Sequence, residues 1–256
     1  MLKKKFLILI VFFCSSEITF SQNNNSIIAS VQYKVSFVSN SALLINDICQ
    51  LDIAKNKSYF YSKGKLENRR RLLEKVAKSG QSGKEIDLGR IDHSDLLSNL
   101  CNFEILKDYE NKSAIYIQNV GGQNLGFVKD SLSIKRWKIL KETAKINGFL
   151  CHKAVMKKDT TLITAWFCPD IPFQDGGFYY YGLPGLIVKS SASSGFETNL
   201  ISIVYNKDPK KEIVLTQPYT LVQESQMMRA IKNQNAAFKN GRLPNGDEAK
   251  PLPAGH

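Results

Sequence analysis

The sequence predicts a mainly β protein of the α+β class, in which a few helices pack on an antiparallel sheet. Two observations lead to this prediction. Short runs rich in β-branched and aromatic residues recur along the chain, and turn-forming residues such as the Gly121-Gly122 pair separate them. Only two segments carry the three- to four-residue apolar spacing of an amphipathic helix. Because short turns join the strand-like runs, most strands should pair antiparallel.

The first strand is predicted from strict alternation. Val31, Tyr33, Val35 and Phe37 alternate with polar residues, which is typical of a strand with one buried face. Further strand-like runs lie at residues 48–53, 58–61, 102–107, 114–118, 125–128, 137–140, 150–156, 162–167, 185–189 and 197–205.

Residues 65–78 are predicted to form the first helix. Glu67 is placed to pair with Arg71 one turn later. The apolar stripe of this helix is formed by Leu66, Leu73 and Ala77.

The second helix is predicted between Thr220 and Lys239. Thr220 followed by Gln223 resembles a capping box, in which the two residues satisfy each other's backbone amides at a helix start. The side chains expected to face the core are Met227, Met228, Ile231 and Phe238.

The first 21 residues have the three parts of a cleavable signal peptide. Lys3, Lys4 and Lys5 are followed by an apolar run at 6–13, and small residues precede Gln22. The run is far shorter than the roughly 20 residues that cross a bilayer, so no transmembrane segment is expected after cleavage. We therefore expect a signal peptide at 1–21, a single β-rich domain at 22–240 and a disordered, Pro-containing tail at 241–256.

The formal net charge of the chain is +12, yet its basic residues are scattered. The run Arg69-Arg70-Arg71 is the tightest cluster, and no nucleic-acid-binding module is recognisable. The charge therefore indicates a solvated basic surface, and nucleic acid is not an expected partner.

No pattern of catalytic, metal-binding or cofactor-binding residues stands out. The sequence contains no phosphate loop, nucleophile elbow or HExxH motif. His152 follows Cys151 directly, so on a strand the two side chains would point to opposite faces and could not act as a base and nucleophile pair. We expect no cofactor, no metal and no catalytic residue.

Two of the cysteines are predicted to form a disulfide. If 150–157 and 162–169 form a hairpin with a two- or four-residue loop, Cys151 lies directly opposite Cys168, at a separation that suits a disulfide. A loop with an odd number of residues would lose this pairing. The pairing of Cys49 and Cys101 stays open.

The aromatic loop, residues 169–181, contains the candidate binding residues. Consecutive aromatic residues cannot all face one side of a strand, so Tyr179 and Tyr181 should share a face and Tyr180 should take the other. The alternative is an aromatic cap over one end of the sheet. The candidate ligand-binding residues are Asp170, Phe173, Asp175, Phe178, Tyr179, Tyr180 and Tyr181.

A series of motifs in fixed order runs from residue 134 to residue 189. They include Ala165-Trp166-Phe167 and Pro169-Asp170-Ile171-Pro172. The residues that mark the series are Trp137, Gly148, Trp166, Gly182, Leu183, Pro184, Gly185, Leu186 and Ile187. The series resembles the GLPGLI family, a group of exported proteins of Bacteroidetes-type bacteria named for the hexapeptide at 182–187.

The same order is distantly similar to periplasmic lipoprotein carriers. That resemblance implies a curved antiparallel sheet or half-barrel, with helices packed on it and an acyl chain sheltered on its concave side. The hexapeptide itself is interpreted as a tight bend that places Leu183 in the core. A direct role in binding is the alternative.

These observations together lead to three hypotheses about function. The first is an exported protein of the periplasm or outer membrane with a non-catalytic binding or accessory role. It would hold an envelope lipid, peptide or glycan, with an outer-membrane transporter as a candidate partner. The second is a hydrolase of an envelope polymer, with Asp170 or Asp175 as acid or base. The third is a structural surface protein without a ligand.

We expect the mature protein to begin at Gln22, because small residues at positions 19 and 21 precede it. Intact-mass analysis of the protein from the envelope fraction checks this. Retention of Met1, or a lipid-modified Cys14, would contradict it.

Overall fold

One large open sheet forms most of the protein. The computed structural model describes residues 25–39, 42–81, 100–130, 137–207 and 211–239. The predicted signal peptide and tail lie outside these residues. None of the helices in the described ranges is long and apolar enough to cross a bilayer.

Twelve strands and two helices follow one another along the described chain. The strands are β1 Ala29–Ser39, β2 Ala42–Ile53, β3 Lys57–Ser62, β4 Phe103–Asp108, β5 Ser113–Val120, β6 Gln123–Asp130, β7 Lys138–Ile146, β8 Phe149–Lys158, β9 Thr161–Cys168, β10 Leu186–Ala192, β11 Phe196–Tyr205 and β12 Thr220–Leu221. The helices are α1 Lys63–Gln81 and α2 Glu224–Lys239. Every predicted strand-like run corresponds to one of β1 to β11. Most ends differ by one or two residues, but β2 begins six residues earlier than predicted and β7 ends six residues later.

The strand order is β12-β6-β5-β4-β3-β2-β1-β11-β10-β9-β8-β7. All neighbours pair antiparallel except β12, whose two residues pair parallel with β6. The prediction of a β-rich protein with a mainly antiparallel sheet is confirmed. The pairing of β1 with β11 joins the two halves of the chain, which places residues near 35 beside residues near 198.

One face of the sheet carries the main core, and we call it the inner face. Val31, Tyr33 and Val35 of β1 are completely buried there, whereas Lys34 between them is exposed. This is the burial that strict alternation predicts. The aromatic loop and Met227 of α2 belong to the same core cluster, so both cover the inner face.

Helix α1 forms where the sequence predicts it, but its apolar stripe is not buried. The hydroxyl of Ser62 accepts a hydrogen bond of 2.9 Å from the Lys65 amide and caps the helix. Arg71 pairs with Glu67 at 3.1 Å, as predicted. Leu66 and Leu73 remain 41% and 58% exposed. The stripe is too narrow to bury a helix that is otherwise rich in charged residues.

Helix α2 begins at Glu224, so the predicted start at Thr220 is wrong. Thr220 and Leu221 pair with β6 instead, and Gln223 caps the helix by donating its backbone amide to the Gln226 side chain at 2.9 Å. Met227 is buried, but Met228 is 50% exposed, which corrects the prediction that both face the core. The side chain of Phe238 lies outside the described part of the structure.

The chain crosses the outer face of the sheet between β11 and β12. Thr216 of this crossing segment, residues 211–219, donates its hydroxyl to Glu104 at 2.6 Å and its backbone amide to the Tyr59 oxygen at 3.0 Å. Tyr59 in turn donates to Glu104. These bonds satisfy two buried polar side chains on the outer face.

The hexapeptide 182–187 forms the bend that leads into β10. Gly182 and Gly185 both have positive φ angles, 86° and 146°, and Leu183 between them is 1% exposed. The indole of Trp137 donates a hydrogen bond of 3.0 Å to the carbonyl of Tyr181, just before the bend. Gly148, with φ of 87°, completes the two-residue turn between β7 and β8.

The two glycines of the hexapeptide should differ in their tolerance of alanine. A Cβ at Gly185 would lie 2.1 Å from the carbonyl oxygen of Cys168, whereas a Cβ at Gly182 would meet open space. Gly185→Ala should lower the free energy of unfolding by about 3 kcal/mol or more, and Gly182→Ala by about 1 kcal/mol from backbone strain alone. Urea unfolding of both variants measures the difference. Equal costs would contradict this account of the bend.

Candidate functional site

The aromatic loop is held against the inner face by one buried carboxylate. Asp175 is 1% exposed, and Lys107 of β4 lies beside it with its Nζ 2.5 Å from Oδ1. Ser58 of β3 donates to Oδ2 at 2.6 Å, and Tyr109 donates to the same oxygen. The backbone amides of Gly176 and Gly177 donate to Oδ1 at 2.7 and 3.1 Å.

Both members of this ion pair are completely buried, so their charges depend on each other. Burial alone would raise the pKa of Asp175, but the charge of Lys107 and the hydrogen bonds outweigh burial and hold this pKa below its usual value. Burial lowers the pKa of Lys107, and the Asp175 charge only partly opposes it. Both residues are ionised, because the Lys107 ammonium and four other hydrogen-bond donors surround the Asp175 carboxylate and stabilise its charge.

Backbone hydrogen bonds connect Asp175 and the preceding residue, Gln174, to the hexapeptide. Ile187 donates its amide to the Asp175 carbonyl at 2.9 Å, and the carbonyl of Ile187 accepts from the Tyr33 hydroxyl at 2.9 Å. Gly182 donates to the Gln174 carbonyl at 3.0 Å. The Lys107 ammonium also lies 6.0 Å from the centre of the Tyr181 ring. Asp175 therefore connects the middle of the loop to the sheet and to the hexapeptide, and its carboxylate is not accessible to a substrate.

The tyrosines of the loop do not alternate as an extended strand. Phe178 has a positive φ of 48°, and the amide of Tyr180 bonds back to the Gly177 carbonyl at 3.2 Å, which makes this stretch a turn. Tyr180 and Tyr181 are 4% and 7% exposed, and Tyr179 is half-buried. Within this turn, Tyr179 and Tyr181 both pack with the main core cluster, whereas Tyr180 belongs to a second cluster with Leu183 and Ile187.

This turn forms one wall of a pocket with a volume of about 460 Å³, which we call the aromatic pocket. Phe178 stacks on Phe196 with ring centres 4.2 Å apart and lies 4.7 Å from Phe103. The apolar and aromatic side chains that line the pocket are Phe37, Ile45, Phe103, Ile163, Phe178, Tyr179, Tyr180, Ala192 and Phe196.

The polar lining comes from two hairpin turns. Lys158, Asp159 and Thr161 lie at or beside the β8–β9 turn, and Ser194 belongs to the β10–β11 turn. The ammonium of Lys158 lies 5.8 Å from the centre of the Tyr179 ring. The pocket thus has apolar walls provided by strands and the aromatic loop, and polar groups provided by turns. Such a lining is typical of sites for small ligands.

The structure brings together only some of the predicted binding residues. Phe178, Tyr179 and Tyr180 line the aromatic pocket, whereas Asp175 and Tyr181 lie in the core. Of the other two, Phe173 packs against the Tyr205 ring at 6.0 Å, and Asp170 lies exposed at the surface.

The pocket residues that sequence reasoning missed are distant in the chain. Phe37 and Phe196 are register partners on β1 and β11, and Phe103 begins β4. Their convergence depends on strand pairing, so no local pattern could have identified them.

A second cavity, of about 930 Å³, lies between α1 and the outer face. Two of its basic lining residues are engaged: Arg70 pairs with Glu67 and Glu74, and Arg69 donates to the Thr216 carbonyl at 2.8 Å. Although this cavity is larger, we take the aromatic pocket as the candidate site because three of the predicted residues, Phe178, Tyr179 and Tyr180, line it.

The cysteines form two neighbouring pairs in the described chain. His152 pairs with Phe167 across β8 and β9, and a two-residue turn joins these strands, so the register predicted for Cys151 and Cys168 is confirmed. Their thiols are not joined here, and the disulfide stays a prediction. Burial, with Cys168 nearby, raises the pKa of Cys151 to about 11. Asp47, Cys49 and Cys101 place potential metal-binding atoms within 4.8 Å of one another.

Three comparisons describe what the chain resembles. The family model named "Protein of unknown function (Porph_ging)" matches residues 155–189, which include the aromatic loop and the hexapeptide. No curated protein matches the chain. The similarity to the GLPGLI family is consistent with this match only loosely, so that name stays a prediction.

Two solved structures of PNGF-II share the fold. The one in space group C2 has 13% sequence identity and a TM-score of 0.53, covering 80% of this chain and 32% of PNGF-II. The one in space group P21 has 14% identity and a TM-score of 0.51, covering 80% of this chain and 33% of PNGF-II. This chain therefore spans about a third of the length of PNGF-II.

Breaking the buried ion pair should strongly destabilise the protein. Lys107→Met would leave the Asp175 carboxylate buried without its counter-charge, which should cost about 3 to 5 kcal/mol of unfolding free energy. The matched control is Lys57→Met on the adjacent strand. It removes a more exposed pair, 3.7 Å from Asp108, and should cost less than about 1 kcal/mol. Urea unfolding at pH 7 compares the two, and similar losses would contradict the anchoring role.

The same pair should contribute to acid sensitivity. Because the folded-state pKa of Asp175 is depressed, its stabilisation is complete above the unfolded value of about 3.9 and is lost as the pH falls through the lower folded value. In Asp175→Asn, the unfolding free energy should fall less steeply with acid over this range. Denaturant unfolding from pH 5 to pH 2 measures both slopes, and equal slopes would show that Asp175 does not titrate in the predicted range.

Proposed function

We propose that this chain is an exported, non-catalytic binding protein of the bacterial cell envelope. Its aromatic pocket holds the apolar part of an envelope lipid. The signal-peptide-like residues 1–21 support export. The pocket supports binding, because aromatic walls with polar groups at one edge suit a molecule that is apolar at one end and polar at the other.

The composition of the pocket favours lipid over glycan. A sugar requires hydrogen-bonding groups on several sides, but the polar side chains of this pocket lie at its turn edge. The strands contribute only hydrocarbon, from Phe37, Ile45, Phe103, Ile163 and Phe196. The charged groups are on the β8–β9 turn, where a lipid headgroup would remain in contact with water. A large antiparallel sheet covered by a loop and a helix on one face also agrees with the resemblance to lipoprotein carriers.

The placement of carboxylates favours binding over hydrolysis. Among the described residues that line the pocket, Asp159 supplies the one carboxylate. Hydrolysis of a glycosidic bond ordinarily uses a pair of carboxyl groups that flank the bond. Asp175, a candidate acid or base from the sequence, is committed to Lys107 in the core.

A fluorescent fatty acid should bind to the mature protein and lose affinity when the pocket is filled. Ala192→Phe places a large ring in the pocket and should weaken binding about tenfold or more. Lys158→Ala should weaken it about threefold by removing the cation at the edge. Fluorescence titration measures each dissociation constant.

The matched control is Lys157→Ala, which removes a neighbouring exposed lysine that does not line the pocket. It should bind the probe like the parent. Thermal melts establish that each variant is folded. If Ala192→Phe is folded and binds the fatty acid with unchanged affinity, the pocket is not the lipid site.

A further inference from the structure

Two buried cysteines that are 52 positions apart in the numbering meet beside a carboxylate. Cys49 lies on β2, and Cys101 lies two residues before β4. Both are 0% exposed. Their sulfur atoms and an oxygen of Asp47 all lie within 4.8 Å of one another. Strands β2 and β4 are not neighbours, because β3 lies between them.

The cysteines meet because β3, which separates β2 from β4, ends opposite Cys49. Cys49 pairs with Ser62, the last residue of β3. There the chain leaves the sheet to form α1, and it returns at residues 100–102. Cys101 therefore fills the position beyond the end of β3, next to Cys49.

Polar contacts hold the chain that leaves the sheet after β3 close to the chain that returns at residue 100. The backbone amide of Cys101 donates a 3.0 Å hydrogen bond to Oδ2 of Asp47. At the other end, the Lys65 ammonium donates to the Asn102 side chain at 2.6 Å. Hydrogen bonds alone therefore hold the start of α1, the returning chain and strand β2 together.

From this geometry we propose that Cys49 and Cys101 form a disulfide in the exported protein. The two thiols lose two protons and two electrons as the S–S bond forms. The electrons and protons pass to the disulfide of a thiol oxidant of the cell envelope, which leaves as a dithiol. The proposal rests on the export proposed above.

A disulfide fits this cluster better than a bound metal. Asp47 already accepts from the Cys101 amide and lies 3.7 Å from the Cys49 sulfur, so its carboxylate is engaged in structural bonds. Burial, together with Cys101 and Asp47, raises the pKa of Cys49, which disfavours the thiolate that a metal requires. A structural zinc site normally has four ligands, and the described cluster contains three.

The bond would close the chain around α1 into a ring. Because both sulfurs are inaccessible in the folded protein, the oxidant must act before folding is complete. The disulfide would then restrict the unfolded chain and hold the start of α1 against β2. The β8–β9 pair, Cys151 and Cys168, lies elsewhere in the sheet and would act independently.

The test is peptide mapping of the mature protein, alkylated with N-ethylmaleimide without reduction. One sample is refolded in a glutathione redox buffer, and a second is isolated from the cell envelope. We expect a linked peptide pair that contains Cys49 and Cys101, two hydrogens lighter than the separate peptides. We expect the same pair in the double variant Cys151→Ser/Cys168→Ser, which controls for exchange between the two pairs.

A thermal melt with and without reductant gives a second readout. In the Cys151→Ser/Cys168→Ser background the reductant should lower the Tm, and adding Cys49→Ser and Cys101→Ser should remove that sensitivity. Alkylation of both Cys49 and Cys101 in the refolded sample would overturn the pairing, as would stoichiometric zinc with free thiols. A bond present after refolding but absent from the envelope sample would overturn the proposal that it forms in the exported protein. A bond present after refolding, with the protein itself absent from the envelope fraction, would support the pairing and contradict the proposed export.

Discussion

The buried ion pair between Lys107 and Asp175 is the contact on which the candidate site depends. A lone charge in such a position would be strongly unfavourable, so each residue requires the other to be in place. Lys107 belongs to β4, an internal strand of the sheet, and Asp175 belongs to a loop whose apolar residues Ile171 and Tyr181 are buried against the same sheet. The pair therefore fixes the loop on the inner face with a defined orientation.

The position of the pocket follows from this attachment. Gly176 and Gly177 donate to the carboxylate, and the next residue, Phe178, turns back with a positive φ towards Phe103 and Phe196. The aromatic wall is thus built on residues directly joined to the buried charge. A site formed in this way is held in shape before a ligand arrives, which reduces the entropy lost on binding.

The sequence could predict the parts of the fold that depend on local patterns. The strands were predictable because alternation such as that from Val31 to Val35 depends only on neighbouring residues. The start of α2 was not predictable, because Thr220 and Leu221 pair with β6, and no local pattern reveals that pairing. Likewise, the ion pair was not predictable, because 68 positions separate Lys107 from Asp175. The sequence therefore indicated a binding or acid–base role for Asp175 from the composition of its loop alone. The pocket combines Phe37 with Phe196 only through strand register.

A crystal structure of the protein purified from its native source would test the central claim, that the anchored aromatic loop forms a lipid site. We predict elongated electron density between Phe103, Phe178 and Phe196, with a polar end near Lys158. We also predict that the Lys107–Asp175 pair is intact, as it is in the structure described above. An empty aromatic pocket, with a bound lipid between α1 and the outer face instead, would contradict the account.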